Sequence, residues 1–199
     1  NNRVQANLSL IDDEKVERFS FRDSEKTIMT ANALEQKEYQ VTSVTSQKRN
    51  RNPYAPFTTS TLQQSASSNL KISPRDAMST AQKLYEAGLI TYMRTDGIEM
   101  APEGITSARK QISDSLGKDF LPEKPRVFKN KAKNAQEAHE CIRPTDFSQT
   151  PEKAKNLNKS ELDLYTLIWR RALASQSRAA EVLQTTVLIS SYCNSTQFR

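Results

Sequence analysis

Tyr92 precedes Arg94 by two positions in the heptapeptide Ile90-Thr91-Tyr92-Met93-Arg94-Thr95-Asp96. In an extended strand residues i and i+2 project to the same side, so a phenol and a guanidinium placed this way face one target. The same pair is also an ordinary feature of a strand face. Basic residues gather in two further places: Lys48, Arg49 and Arg51, and then Arg126, Lys129, Lys131 and Lys133, just before His139, the only histidine. Such runs supply sequence-independent affinity for phosphates, and they equally suit solvated loops. Cys141 and Cys193 are the only cysteines and form no CxxC pair. With one histidine they are too few for a disulfide framework or a Cys/His zinc site, which suits a reducing compartment.

The 199 residues admit one core or two small ones. Lys and Arg number 29 against 23 Asp and Glu, a net charge of +6 that favours a polyanionic partner. An apolar fraction of 36%, concentrated in periodic stretches, is enough for the chain to fold. No run approaches the roughly 18 to 20 apolar residues of a membrane span, and no charged-then-apolar signal segment opens the chain. With Asn1 in place of an initiator Met, and Phe198-Arg199 directly after a strand-like run, the chain reads as a piece of something longer.

The elements that must position these residues follow from patterning. Val4, Ala6, Leu8 and Leu10 alternate with polar residues, and Phe19 and Phe21 flank Ser20, so the beginning is predicted β-like. Ser24 reads as the N-cap of a helix over 25–38 carrying Ile28, Ala31 and Leu34 on one face, followed by a strand over 39–45. Thr185, Val187, Ile189 and Ser191 alternate again near the end. Two β-like ends around a long middle predict a sheet domain interrupted by an insertion, with two unrelated strands as the alternative.

The middle is helical. Ser60 with Gln63 reads as a capping box before the stripe Leu62, Ala66 and Leu70. Ser73, Pro74 and Asp76 open a second helix that buries Ala77, Met78, Ala81, Leu84 and Tyr85 and closes at Gly88. Leu89-Ile90-Thr91-Tyr92 then favours a strand, which is the element order of a winged helix-turn-helix. Helices are also predicted over 102–116, with Ile105, Ala108 and Ile112 inward, and over 160–178, opened by Ser160 and Asp163. The latter carries Leu162, Tyr165, Trp169, Ala172 and Leu173, and residues 122–134 between the two read as loop.

Three segments, Pro56-Phe57-Thr58-Thr59-Ser60-Thr61-Leu62-Gln63-Gln64, the run from Gly88 to Asp96, and the run Ala135-Gln136-Glu137-Ala138-His139-Glu140-Cys141-Ile142-Arg143-Pro144-Thr145, together resemble the type IA DNA topoisomerases. With a Leu-Tyr-Thr-Leu-Ile-Trp helix, the likeness covers about Lys48 to Arg178. Met93 favours the bacterial topoisomerase I branch over the topoisomerase III branch, which tends to carry proline there. The resemblance implies that Tyr92 is the nucleophile that attacks a backbone phosphorus of single-stranded DNA and forms a 5′-phosphotyrosyl link. A phenol near pKa 10 is a poor nucleophile at neutral pH and needs positive charge or a proton acceptor beside it. Arg94 matches the arginine that stabilises the phosphoryl transition state. His139 matches a histidine that hydrogen-bonds the scissile phosphate or moves a proton. Thr95 and Asp96 complete the tyrosine motif, with Asp96 orienting Arg94 or His139, and Arg143 pairs with a carboxylate or a DNA phosphate. Gln82 and Tyr85 lie on the helix that lines the strand-binding groove in similar enzymes, where Tyr85 either stacks on a base or packs in the core.

Gly97, where serine is usual, and Cys141, where alanine is common, depart mildly from the family pattern. No Asp-x-Asp-x-Glu run occurs, so the resemblance places the Mg²⁺-binding Toprim domain outside this chain, and no metal ligand is expected within it. The implied fold is α+β and multi-domain: a β-rich hinge domain of residues 1–51 and 179–199 around an inserted, mainly helical tyrosine domain, 52–178, with a winged-helix-like element. The implied activity is relaxation of negatively supercoiled DNA by the parent enzyme in the cytoplasm, with this piece the moving arm and inactive alone. The alternative from another class is a non-catalytic winged-helix module reading duplex DNA through Arg75, Gln82 and Lys83.

Overall fold

The structure is a computed structural model that describes residues 4–129, 140–192 and 196–199. The chain divides into two compact units, one made of the segment ending at Asn50 together with Glu181–Arg199, the other of Arg51–Ala180.

In the first unit, β1 (Leu8–Ile11) and β2 (Glu14–Lys15) form an antiparallel hairpin. Asp12 and Asp13 turn it with positive φ angles of 48° and 64°, the handedness that two-residue hairpin loops require and aspartate tolerates. Phe19 and Phe21 do not form the predicted strand. The Glu17 amide donates to Ser20 Oγ at 2.8 Å and the Ser20 amide to the Glu17 carbonyl at 3.1 Å, so a local turn captures the segment, and both phenyl rings are exposed. Helix α1 (Ser24–Glu35) is capped by Asp23 rather than Ser24: one carboxylate oxygen accepts from the amides of Glu25 and Lys26 at 2.9 and 3.1 Å. No α1 residue is fully buried: of the expected apolar face, Ile28 and Ala31 are exposed and only Leu34 is half-buried.

Strand β3 (Tyr39–Arg51) runs six residues past the expected end at Thr45 and carries Lys48, Arg49 and Arg51 within it. It can do so because β4 (Ala180–Ser191), its neighbour, is as extended. Thr42 meets Ser190 at 3.1 Å and Ser46 meets Thr185 at 2.9 Å, so the two strands run antiparallel. With β5 (Thr196–Phe198) the sheet order is β2-β1-β5-β4-β3.

The second unit holds the remaining helices. Helix α2 (Thr59–Leu70) is opened by a Thr58/Thr61 capping box, two residues before the expected Ser60/Gln63 box. Helix α3 (Pro74–Glu86) begins as its sequence predicts, with Ser73 Oγ accepting from the Asp76 amide at 3.1 Å. It ends in a Schellman turn: Gly88, at φ +72°, donates to the Tyr85 carbonyl at 2.8 Å and Leu89 to that of Leu84 at 2.9 Å. Helix α4 (Pro102–Ser115) buries Ala108 and Ile112. Helix α5 (Lys159–Ser175) is capped by Asn158 and Glu161 instead of Ser160 and Asp163, and stops three residues before Arg178. Two buried clusters result. Leu62, Ala77, Leu84, Tyr165 and Ile168 belong to one and Ala108, Ile112, Phe147 and Ala172 to the other, with Trp169 packed against both.

The strand predicted over Leu89–Tyr92 does not form. Only Ile90 pairs, in a single antiparallel bridge with Pro144, and a proline has no N–H to extend a ladder. Helices α2 and α3 are thus followed by an extended segment rather than by a wing strand.

Candidate active site

That extended segment is fixed by tertiary hydrogen bonds from two threonines. The Thr91 hydroxyl donates to the Cys141 carbonyl at 2.7 Å and accepts from the Arg143 amide at 3.0 Å, while the Thr91 amide donates to the Arg143 carbonyl at 2.9 Å. From the other side, the Thr59 hydroxyl donates to the Met93 carbonyl and accepts from the Thr95 amide, both at 2.8 Å, and the Thr59 amide donates to the Thr95 carbonyl at 2.9 Å. Thr95 Oγ1 in turn accepts from the Gly97 amide at 2.9 Å.

Clamped in this way, the segment alternates without a ladder. Met93, Thr95 and Gly97 are buried, whereas Tyr92, Arg94 and Asp96 are exposed, Tyr92 by 50%. Phenol, guanidinium and carboxylate therefore emerge on the solvent side of one short stretch. The Tyr85 ring meets that of Tyr92 edge-on, with centroids 5.4 Å apart and planes at 67°, and this contact limits the directions the phenol takes. Tyr85 is itself 40% exposed, so it is not the core residue that its helical spacing allowed.

The other expected residues are distributed as follows. Gln82 donates to the Glu86 carboxylate one turn along α3, at 2.7 Å. Lys48 and Arg49 are exposed on β3 in the sheet unit, and Arg51 is exposed at the first position of the helical unit. His139, Lys131 and Lys133 lie outside the described residues. Arg143 is buried. Its Nε donates to Glu140 Oε1 at 2.6 Å and its terminal nitrogens reach the Pro144 carbonyl at 2.9 Å and the Glu103 carboxylate at 3.7 Å. A Cβ on Gly104 would come within 2.7 Å of Arg143 Nε, so the absence of a side chain there lets the guanidinium lie against α4. Glu140 Oε1 also accepts from the Ala101 amide at 2.9 Å, which ties the same pair to the start of α4.

Beside this pair, burial and then the Glu140 charge push the Cys141 thiol up to about 12, with Arg143 opposing, so the sulfur stays a neutral packing group. Sequence reasoning passed over Thr59, Thr91 and Glu140 as positioning groups. All three stand inside the segments that carried the family resemblance, but only their partners in space reveal what they hold.

Among the described residues no group of three His, Cys, Asp or Glu side chains could hold a metal ion, and no helix is long and apolar enough to cross a membrane.

A family model described as DNA topoisomerase matches residues 2–199, and the chain belongs to that family, the type IA enzymes its motifs resemble. It is 47% identical over 174 residues to DNA topoisomerase 1 of Zymomonas mobilis, covering 87% of this chain and 14% of that protein. To DNA topoisomerase 1 of Campylobacter jejuni it is 45% identical over 186 residues, covering 89% of this chain and 27% of the relative. Full-length topoisomerase I from Thermotoga maritima superposes with a TM-score of 0.71 at 32% identity, over 97% of this chain and 31% of that structure. The chain thus spans less than a third of the length of each of these relatives.

Proposed function

We propose that this chain supplies the nucleophile of a type IA DNA topoisomerase that relaxes negatively supercoiled DNA. The Tyr92 oxygen attacks a backbone phosphorus of single-stranded DNA, the bond from phosphorus to the 3′ oxygen breaks, and a 5′-phosphotyrosyl link forms. The phenolic proton leaves and the departing 3′ oxygen ends as a free hydroxyl. The reverse step reseals the strand, so bond energy is conserved and no external energy source enters. Arg94 stabilises the negative charge that builds on the phosphoryl oxygens, a role that suits an exposed guanidinium with no carboxylate partner among the described residues. Asp96 orients Arg94 or His139, and His139 contacts the scissile phosphate or carries the proton. Tyr85, Gln82, Lys48, Arg49 and Arg51 bind or position the strand in this reading, and Thr95 supports it only indirectly, by holding the tyrosine segment from its buried side.

The observation that carries it is the clamped alternation, which turns Tyr92, Arg94 and Asp96 outward together while Met93 and Thr95 anchor them. Among the described residues no side chains group as the Mg²⁺ site that the family implies would need, so no step is routed through that ion here, and the reading assigns it to the Toprim region of the parent protein. The division of the chain near residues 50 and 180 supports a hinge-like β domain of residues 1–51 and 179–199 and a tyrosine domain of 52–178. In the parent protein, working on DNA in the cytoplasm at the nucleoid, the tyrosine domain moves with the bound DNA end. The isolated chain binds single-stranded DNA weakly and does not cleave it.

The test mixes the chain with a separately made Toprim-containing piece, Mg²⁺ and a labelled single-stranded oligonucleotide, and looks for a covalent adduct. Adduct is expected with the native chain and not with Tyr92→Phe, and severely reduced with Arg94→Ala. Adduct that survives Tyr92→Phe moves the nucleophile elsewhere, and adduct formed by the chain alone overturns the division of labour.

A further inference from the structure

Two arginines of the helical unit are held firmly and have no counter-ion among the described residues. Arg171 of α5 donates from Nε to the Ala55 carbonyl at 2.7 Å, and its guanidinium lies 4.6 Å from the centroid of the Tyr54 ring and 4.8 Å from that of Phe57. Arg126 donates from Nε to the Ser177 carbonyl at 2.8 Å and from a terminal nitrogen to Asn52 Oδ1 at 3.4 Å. The buried Gln176 side chain accepts from the Arg126 amide at 3.3 Å and donates to the Arg126 carbonyl at 3.0 Å, so the backbone beneath that guanidinium is pinned as well. Every one of these partners is a ring, a carbonyl or an amide. Among the described residues neither arginine lies within ion-pair distance of a carboxylate. Guanidinium groups stay charged at any ordinary pH, so two fixed positive charges reach Asn52 and Ala55 with no compensating carboxylate among the described residues.

Tyr54 stands in the same short segment, between Asn52, which Arg126 reaches, and Ala55, which Arg171 reaches. It is 65% exposed although the Arg171 guanidinium covers part of it. Pro53 before it and Pro56 shortly after restrict the backbone, so little conformational entropy remains to be lost on binding. An aromatic ring backed by a cation and open to solvent, two residues from the asparagine that a second arginine reaches, has the chemistry of a nucleotide site: stacking for the base and charge for the phosphates. We propose that Tyr54, Arg126 and Arg171 form a subsite for single-stranded DNA, in which Tyr54 stacks on an unpaired base and the two guanidiniums take the flanking phosphates. Single strand is preferred to duplex because base faces in a duplex are already stacked on one another and leave Tyr54 nothing to cover.

The position suits the substrate of the proposed reaction, on which this inference rests. Tyr54 is five residues from Thr59, which hydrogen-bonds the Met93 carbonyl and the Thr95 amide around Arg94. Five residues reach at most about 18 Å, so a strand lying on Tyr54 is held within a few nucleotides of Tyr92.

The test uses this chain with Tyr92→Phe, which removes covalent chemistry and leaves binding alone, and measures fluorescence anisotropy with an oligothymidine over a series of salt concentrations. Adding Tyr54→Ala is expected to weaken binding about tenfold or more, the size that loss of a base-stacking aromatic brings, while Tyr54→Phe keeps the parent affinity. Arg126→Gln and Arg171→Gln are each expected to lower the salt slope by about 0.7, the value for one phosphate contact on a single strand. Circular dichroism of Tyr54→Ala should match the parent and its thermal midpoint should fall by no more than a few degrees, because the side chain is largely exposed and loses only its contact with Arg171. The proposal is overturned if the parent shows no single-strand binding at low salt, if Tyr54→Ala binds as the parent does, if the loss is equal on duplex, or if polyglutamate competes as well as DNA. Because no adduct is measured, failure of Tyr92 as the nucleophile would leave this readout unchanged, and the two failures are distinguishable.

Discussion

The helical unit closes over two clusters of fully buried apolar side chains, whereas the only buried residues described in the sheet unit are the hydroxyl-bearing Ser190, Ser191 and Thr196. In the sheet unit apolar side chains such as Ile28, Val41, Val44 and Leu183 are largely exposed. Its cohesion comes from strand ladders, from hydroxyl pairs such as Ser46 with Thr185, and from the edge contact of Tyr39 with Phe198 at 5.2 Å. Close-packed apolar interiors have discrete rotamers and resist displacement, while ladders with solvated faces open at lower free energy. The segment that carries Tyr92 and Arg94 is mounted on the better-packed helical unit, as the constant geometry of the proposed reaction would require.

The strongest way to break this comparison is Leu84→Ala, which opens a cavity in the cluster that anchors α3. A loss of about 2–5 kcal/mol is expected by chemical denaturation. A loss below about 1 kcal/mol would mean that the core does not carry the unit. Next in size, Gly104→Ala places a methyl group 2.7 Å from Arg143 Nε and should cost about 1–3 kcal/mol through overpacking, read from the same denaturation curves.

A pH experiment sharpens the contrast further. The folded state holds the Cys141 thiol up at about 12, above its ordinary value of 9.0, so the folded protein binds that proton more tightly than the unfolded chain. The contribution is therefore complete below pH 9 and is lost as pH rises from there toward 12, with a slope of at most about 1.4 kcal/mol per pH unit. Measured against Cys141→Ala, which cancels the other titrating groups, the native chain should lose more stability between pH 9 and 10. A flat difference would place the thiol in contact with water. The smallest effect is expected in the sheet unit: Ile28→Ala, at a position 61% exposed, should change stability by no more than about 0.5 kcal/mol. A much larger change would show that α1 has an apolar partner.

Parts of this molecule were legible in the chain. Ser73, Pro74 and Asp76 opened α3 and Gly88 closed it as their types require, and Ala77, Ala81 and Leu84 were buried as their spacing predicted. Capping chemistry was less well placed, because Asp23, Thr58 and Asn158 stand within two residues of other good caps and local preference does not choose between them. Tyr92 and Arg94 were expected on one side because a strand would put them there. They do emerge on one side, but no strand is present.

What the sequence determined by itself was local: where helices begin and end, which faces are apolar, and which residue types stand close enough along the chain to share a target. Those preferences depend on neighbours within about four positions, so they can be read in one dimension. The outward aim of Tyr92 and Arg94, the burial of Arg143 against Glu140, and the setting of Arg126 and Arg171 among carbonyls and rings were decided only in the tertiary structure. Each depends on partners distant in sequence, and nothing in the local pattern specifies them.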